Sequence, residues 1–365
     1  MKARLGRLRE RLDLAACDSF LSLAAPTNQY LTGFRGSTSA VVVTQNEALF
    51  LCDFRYTEQA HEEVWSSGTG ADGGYAVEEV SGNLQEGAGK RLRDLSARTA
   101  AFEPDELTVG DLSRVQTHFD GVCTPSPEIV SRLRRVKSPE EVDRIRAAAR
   151  LVDGVLADGL RMLALAPGIT EQELAGWFEY EFRKRGAAGA AFSTIALFGP
   201  RTSLVHGEAG DRALAKGDVV LLDLGCRLGG YCSDLTRTYA YSTIPGDWFD
   251  EVYTLTLTAQ KIALEAVRPG ISCHELDAIA RGLIAEAGYG EHFGHGLGHG
   301  VGIDVHEEPR VGKDSDVVIE EGMVITIEPG IYLPHRGGVR IEDLVVVTKD
   351  GCECLSSAPK ELSVL

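Results

Sequence analysis

The segment VVLLDLGCRLGGYCSDLTRTYA carries two carboxylates, Asp223 and Asp234, on either side of Gly229 and Gly230. Its flanks are rich in strand-forming residues and the glycine pair marks a turn, so it reads as a hairpin. Folded about the middle of residues 227–230, it sets Asp223 opposite Asp234, with both carboxylates on one face and Cβ atoms ~5 Å apart. Thr236 shares that face and is placed to hold a carboxylate or a water. A second segment, MVITIEPGIYLPHRGGVRIEDLVVV, repeats the logic. Folded about His335, it sets Glu328 opposite Glu342, with Arg340 on the face of Glu342 and Tyr332 on that of Glu328 if the strand stays regular past Pro329. Four carboxylates on apolar strands repel one another and are costly to bury. Either they are exposed to water, or something cationic sits among them. Two divalent cations would satisfy all four, which points to metal-ion chemistry.

The histidines add the other common ligand type. FGHGLGHGVGIDVHEEP has glycine at 294, 296, 298, 300 and 302. Five glycines inside a helix would cost roughly 4–5 kcal/mol relative to alanine, so the segment is expected to be extended. In a strand, His295, Leu297 and His299 share a face, and the bare glycines admit a ligand or a neighbouring strand. His306 follows just before two glutamates and Pro309. Alone, an acidic hairpin reads as solvated surface and a His-Gly cluster is a weak metal signal. The set of two matched acidic hairpins with a histidine segment between them is much more specific.

The hairpins also resemble each other. VVLLDLG (residues 219–225) parallels MVITIEPG (residues 323–330), and GGYCSDL parallels GGVRIEDL, with an acid four residues after the second glycine in each. Two linked matches suggest a duplicated half-domain. Ahead of it, KSPEE offers Ser138 as a helix cap, Pro139 at the first helical position and Glu140 and Glu141 at the positive helix end. A long helix follows, and the domain boundary is placed just before it, giving domains 1–128 and 129–365. In the first domain a basic amphipathic helix with Leu5, Leu8 and Leu12 at helical spacing leads into the apolar runs AVVVT and ALFLCDF, then the helix YTEQAHEEV and a loop at residues 66–75. That alternation reads as small α/β. Long helices and paired strands in the second make the whole α+β.

The 365 residues suffice for two domains, and 44% hydrophobic with 25% charged residues is ordinary for a globular protein. A formal net charge of −17, from 54 acidic and 37 basic residues, disfavours nucleic acid and anionic membranes as partners. The amino terminus has no apolar core of a signal peptide, and no apolar run reaches the ~20 residues that span a bilayer. None of the eight cysteines forms a CxxC pair. Reduced thiols in a cytoplasmic protein are therefore expected.

These residues resemble the pita-bread metallopeptidases: methionine aminopeptidase, aminopeptidase P and prolidase. The resemblance implies that Asp223 in LLDLG, Asp234 in CSDLTRT, His299 in GLGHGVG, Glu328 in TIEPG and Glu342 in VRIED hold two divalent ions. In the front domain, YLTGFRGS and DFRYTEQA are similar to the amino-terminal domain of the creatinase, prolidase and aminopeptidase P branch. Methionine aminopeptidases lack that domain, and creatinase lacks the metal ligands. The expected fold is therefore a creatinase-like first domain before a pita-bread catalytic domain with internal pseudo-symmetry. His206 in SLVHGE and His295 resemble histidines that line the site around the scissile bond, and His306 one that stabilises the reaction intermediate. Tyr332 and Arg340 match supporting positions.

The activity implied is hydrolysis of the Xaa-Pro bond at the amino end of peptides by a hydroxide shared between two metals. Asp234 and Glu342 would bridge the ions, with Asp223 on one and His299 and Glu328 on the other. Glu328 would take the proton of the nucleophile, and His306 would steady the oxyanion. His295 would either help protonate the leaving nitrogen or merely position groups. Four carboxylates with one imidazole suit Mn²⁺, while Zn²⁺ or Co²⁺ also fit. The expected partners are peptides with a free amino terminus and proline second, and the family implies a homodimer. Overall likeness favours aminopeptidase P over a prolidase restricted to dipeptides, although Arg310 in HEEPR resembles the arginine with which prolidases grip a dipeptide's terminal carboxylate. A catalytically inactive peptide-binding relative is the remote alternative.

Overall fold

The computed structural model describes residues 2–64 and 74–365, so most of the loop expected at residues 66–75 lies outside the described residues. The chain forms two compact units, Met1–Arg134 and Arg135–Leu365. The division falls beyond residue 128 for a local reason. The buried carboxylate of Glu103 accepts hydrogen bonds of 2.9 Å from the backbone N–H groups of Val130 and Ser131 and from the Ser131 hydroxyl, which fastens this stretch to the first unit.

In the first unit, six strands make one sheet in the order Ala76–Glu79, Ala48–Cys52, Ala40–Thr44, Ser19–Ser22, Thr99–Phe102, Val122–Pro125. The two apolar runs pair as an antiparallel hairpin, Val41 against Phe50 and Val42 against Leu49. Leu21, Val42, Leu51, Leu92 and Phe119 build a core between sheet and helices. The amino-terminal helix Lys2–Leu14 buries Leu5, Leu8 and Leu12, as their spacing requires.

The second unit repeats one theme. Helices Pro139–Leu165 and Glu171–Lys184 share a core with strands Val219–Leu224 and Leu235–Ala240. Helices Asp247–Ala266 and Cys273–Glu286 share another with strands Val324–Ile327, Gly330–Leu333, Gly337–Arg340 and Asp343–Thr348. Capping boxes begin three of these helices, at Ser138 with Glu141, Thr170 with Glu173 and Ser272 with Glu275. Each fully buried Leu, Val or Phe in these cores contributes ~1.5–3 kcal/mol. The helices thus cover the outward faces of two hairpin systems whose acids look the other way.

The two hairpins differ in how closely they follow the expected register. In the second, Ile327 pairs with Asp343 and Gly330 with Arg340, as folding about His335 demands. In the first, Asp223 pairs with Thr236 and not with Asp234. The loop is Gly229 and Gly230 themselves, at φ 58° and 86°, between Leu228 and Tyr231. Two residues with positive φ form the favoured two-residue hairpin turn, which moves the fold axis one residue along the chain. Because partners shift by two positions, Asp223 and Asp234 keep the same parity.

Candidate metal centre

Strand ends place the carboxylates. Asp223 is the last residue but one of Val219–Leu224, and Asp234 immediately precedes Leu235–Ala240. Glu328 and Glu342 sit where the ladder of Val324–Ile327 with Asp343–Thr348 hands over to that of Gly330–Leu333 with Gly337–Arg340. Pro329 has no N–H to donate, and the break frees both acids from strand geometry. His299 occupies the centre of the three-residue strand Gly298–Gly300. A Cβ at Gly298 would run into the carbonyl oxygen of Thr326, so glycine lets the histidine strand lie close against the glutamate strand. The strand is shorter than expected: His295 lies before it, in bent chain.

Ligand atoms of Asp234, His299 and Glu342 lie within 4.8 Å of one another, the one group of this kind among the described residues. His299 Nε2 is 3.6 Å from Asp234 Oδ2 and 3.3 Å from Glu328 Oε1. Asp223, whose charge acts on both Asp234 and His299, accepts at Oδ2 from Arg340 Nη2 at 2.7 Å. Its Oδ1 is buried without a hydrogen-bond partner. Thr236 Oγ1 donates to Glu342 Oε2 at 2.7 Å and accepts from Arg340 Nε at 3.0 Å. The five predicted ligands are thus gathered in one place.

Burial, reinforced by the neighbouring carboxylates, pushes Asp234 and Glu342 well above the usual range. Burial also raises Asp223, against the pull of Arg340. Glu328 behaves oppositely: burial would raise it, but the hydrogen bond and charge of His299 hold it down at about 2. In return, His299 is raised despite its burial. A metal-free site of this kind must hold protons where a cation would otherwise sit.

The remaining predicted residues fall around this cluster. The His306 ring packs edge-on against His299 with centroids 4.4 Å apart, and burial followed by the His299 charge lowers its pKa. His295 Nε2 is 2.9 Å from the Tyr332 hydroxyl, which also accepts from Arg340 Nη1 at 2.8 Å. His295 Nδ1 lies 2.8 Å from the Gly296 carbonyl oxygen, which can only accept. Nδ1 therefore carries the hydrogen, and in the neutral ring Nε2 accepts from Tyr332. Burial lowers the His295 pKa and keeps it in that neutral form. Arg310 pairs with His299 across the antiparallel ladder, so its exposed side chain leaves the sheet on the same face. His206 is exposed, and its charge bears on both His295 and His306.

Several bracing residues were not anticipated. Thr326 Oγ1 accepts from the His299 N–H at 3.0 Å and donates to Glu328 Oε1 at 3.2 Å. Its position two residues before Glu328, on the same strand face, was a usable signal. Arg281 donates to the carbonyls of Phe293 and His295, while Asp277 accepts from Leu297 N–H. From sequence the pair resembles an ordinary i,i+4 surface ion pair on a helix.

Residues 143–349 match metallopeptidase family M24, and residues 4–136 match the creatinase/prolidase N-terminal domain. The chain belongs to metallopeptidase family M24. A solved Xaa-Pro dipeptidase from Bacillus anthracis shares 36% identity, covers 100% of this chain and 99% of its own, and superposes with a TM-score of 0.93. An X-Pro aminopeptidase from Thermotoga maritima shares 35% identity at a TM-score of 0.86, covering 98% of this chain and 100% of its own. The Xaa-Pro dipeptidase of Pyrococcus horikoshii is 44% identical over 235 residues, 64% of this chain and 66% of that protein. The M24 fold accounts for the repeated helix-and-hairpin halves, the pita-bread architecture with a creatinase-type domain ahead of it. The family implies divalent metal ions, and the residues fit them: oxygen-rich donors, carboxyls raised by burial and by one another's charge, and the orphaned Asp223 Oδ1.

Proposed function

We propose that this M24 metallopeptidase is an Xaa-Pro dipeptidase. The observation that carries the reading is Arg310 directly opposite His299 in the ladder, which sends a guanidinium and a ligand imidazole out on one face. A guanidinium there suits the terminal carboxylate of a dipeptide, whereas a third residue would carry that carboxylate away. The names of the relatives lean the same way and weigh against the aminopeptidase preference drawn from overall likeness.

Asp223, Asp234, His299, Glu328 and Glu342 would hold two divalent ions, with Mn²⁺ the best match to the donors. Bound there, such a pair activates water and polarises a carbonyl. The chain's own groups do the rest. The substrate's free amine finds an acidic site, and Arg310 holds its other end. His306, held neutral, donates a hydrogen bond to the carbonyl oxygen as it gains charge. Glu328, held ionised, accepts the proton of water and passes it to the proline nitrogen, which has no hydrogen of its own and needs one to leave. His295 has both ring nitrogens engaged, by Gly296 and Tyr332, and so orients the site without giving up a proton.

The test compares Xaa-Pro dipeptides with Xaa-Pro-Yaa tripeptides in the Mn²⁺-loaded protein. Dipeptides are expected to be preferred, and Arg310→Ala to lower dipeptide kcat/KM by more than about tenfold while changing tripeptide turnover less. Tripeptides cleaved at least as well as dipeptides, and unaffected by Arg310→Ala, would make the protein an aminopeptidase.

A further inference from the structure

His206 lies on an irregular stretch between the strands Ile195–Phe198 and Val219–Leu224, and something must hold that stretch in place. Its ends meet on one side chain. Glu171, in the first turn of the helix Glu171–Lys184, is 0% exposed. Its Oε1 accepts from the Phe198 N–H at 2.8 Å and its Oε2 from the Gly210 N–H at 2.9 Å, on either side of His206. Arg201 lies between them in sequence and neutralises the carboxylate, Nε to Oε2 at 2.9 Å, while its Nη2 donates to the Glu208 carbonyl at 2.6 Å. The helix end is laced to the same stretch by backbone bonds, Gln172 N–H to Gly210 O and Glu171 N–H to Arg212 O.

Within this strap, Val205 gives its carbonyl to Arg340 Nη1 at 3.3 Å, and that guanidinium also grips Asp223. The strap therefore joins the site at its middle and Glu171 at both ends. A buried carboxylate with this many donors is costly to leave half-satisfied, so it fixes its partners firmly. The sequence shows it only as an acid at a helix start, where it would be read as a dipole partner.

We infer that Glu171, with Arg201, is a positioning residue for His206 and through it for substrate binding. This rests on the reading that His206 touches substrate. In the Mn²⁺-loaded protein, Glu171→Gln puts an amide N–H₂ against the N–H donors of Arg201 or the strap. It is expected to raise KM roughly tenfold, with kcat within about threefold and metal content unchanged. His206→Ala is expected to raise KM similarly, and the double variant to be no worse than His206→Ala alone, because both changes remove one contact. Arg201→Lys keeps the charge and is expected to fall between the parent and Arg201→Met. Since the Arg201 side chain is 38% exposed, this pair carries the test if Glu171→Gln does not fold. Unchanged KM in Glu171→Gln or Arg201→Met, or effects that multiply with His206→Ala, would overturn the inference while leaving the peptidase reading intact. Unchanged KM in His206→Ala would remove His206 from the substrate site and the inference with it. Tripeptide preference with these KM effects intact would overturn only the dipeptidase reading.

Discussion

Asp234 and Glu342 are buried beside other carboxylates, and both carboxyls stand well above their ordinary values of 3.8 and 4.5. A carboxyl raised by folding keeps its proton in the native state at pH values where the unfolded chain has lost it. Stability then falls as pH rises, from about pH 4 up to the raised native value. Each carboxyl that stays protonated contributes a slope of about −1.4 kcal/mol per pH unit, and two would double it. His299, also raised, adds to the fall above its ordinary 6.5. Glu328 is depressed, so its contribution is complete above 4.5 and adds no slope at higher pH. Divalent ions take the place of those protons, so the metal-loaded protein is expected to lose the slope. It is also expected to gain about 2.7 kcal/mol at a metal concentration one hundred times the dissociation constant. Urea unfolding of chelator-treated protein between pH 5 and 8, with and without Mn²⁺, measures both effects. Asp223 is raised as well and adds to the fall. Asp234→Asn removes one of these three carboxyls and is expected to flatten the metal-free slope by about 1.4 kcal/mol per pH unit over the range in which that carboxyl keeps its proton. Metal-free stability that is level or rises from pH 5 to 7, or a slope unaltered in Asp234→Asn, would refute the account.

Asp234→Asn and Glu342→Gln are each expected to abolish peptidase activity and lower bound metal with far-ultraviolet circular dichroism unchanged; two retained metals with full turnover would remove that residue from the ligand set. His306→Ala is expected to lower kcat roughly 10²–10³-fold with metal content kept, and loss of metal would mean that His306 and His299 have exchanged roles. Tyr332→Phe deletes the hydroxyl shared by Arg340 and His295, which is expected to destabilise the protein by about 1–3 kcal/mol in chemical unfolding, since a buried guanidinium and a partly buried imidazole each lose a partner.

What the sequence made legible follows from which interactions are local. The helix at Ser138 and Pro139 needs only its own first turn, and it forms there with its capping box. The second hairpin turns about His335, at φ 62°, and its alternation gave the right partners for Glu328 and Glu342. The first hairpin was misaligned because a glycine pair permits more than one turn, and only the backbone conformation selects among them. The ligand candidates survived that slip because it preserved parity. Contacts between distant segments left less trace: Thr326 is marked only by sharing a strand face with Glu328, while Arg281 behind His295 and Glu171 around the His206 strap lie far along the chain from their partners. Arg310 stands out in HEEPR, but its place opposite His299 does not, because that pairing joins two separate strands.

The two hairpins are bonded to each other through the same residues that present the acids. Glu342 N–H donates to the Thr236 carbonyl at 3.1 Å, and Thr238 Oγ1 both donates to the Arg340 carbonyl and accepts from the Arg340 N–H. Arg237, 1% exposed between Thr236 and Thr238, reaches the other way to Asp343 Oδ1 at 2.7 Å and to the Glu342 carbonyl. Alternate residues of one strand thus serve opposite faces: Thr236 and Thr238 serve the acidic face, and Arg237 the face packed under it. Four carboxylates could not be brought together by attraction to one another, since their charges oppose it. They are brought together because backbone and buried arginines join the strands that carry them. That arrangement makes metal binding the relief of a strain that the rest of the fold sustains, and it is why neutralising a single acid is expected to spare the fold while emptying the site.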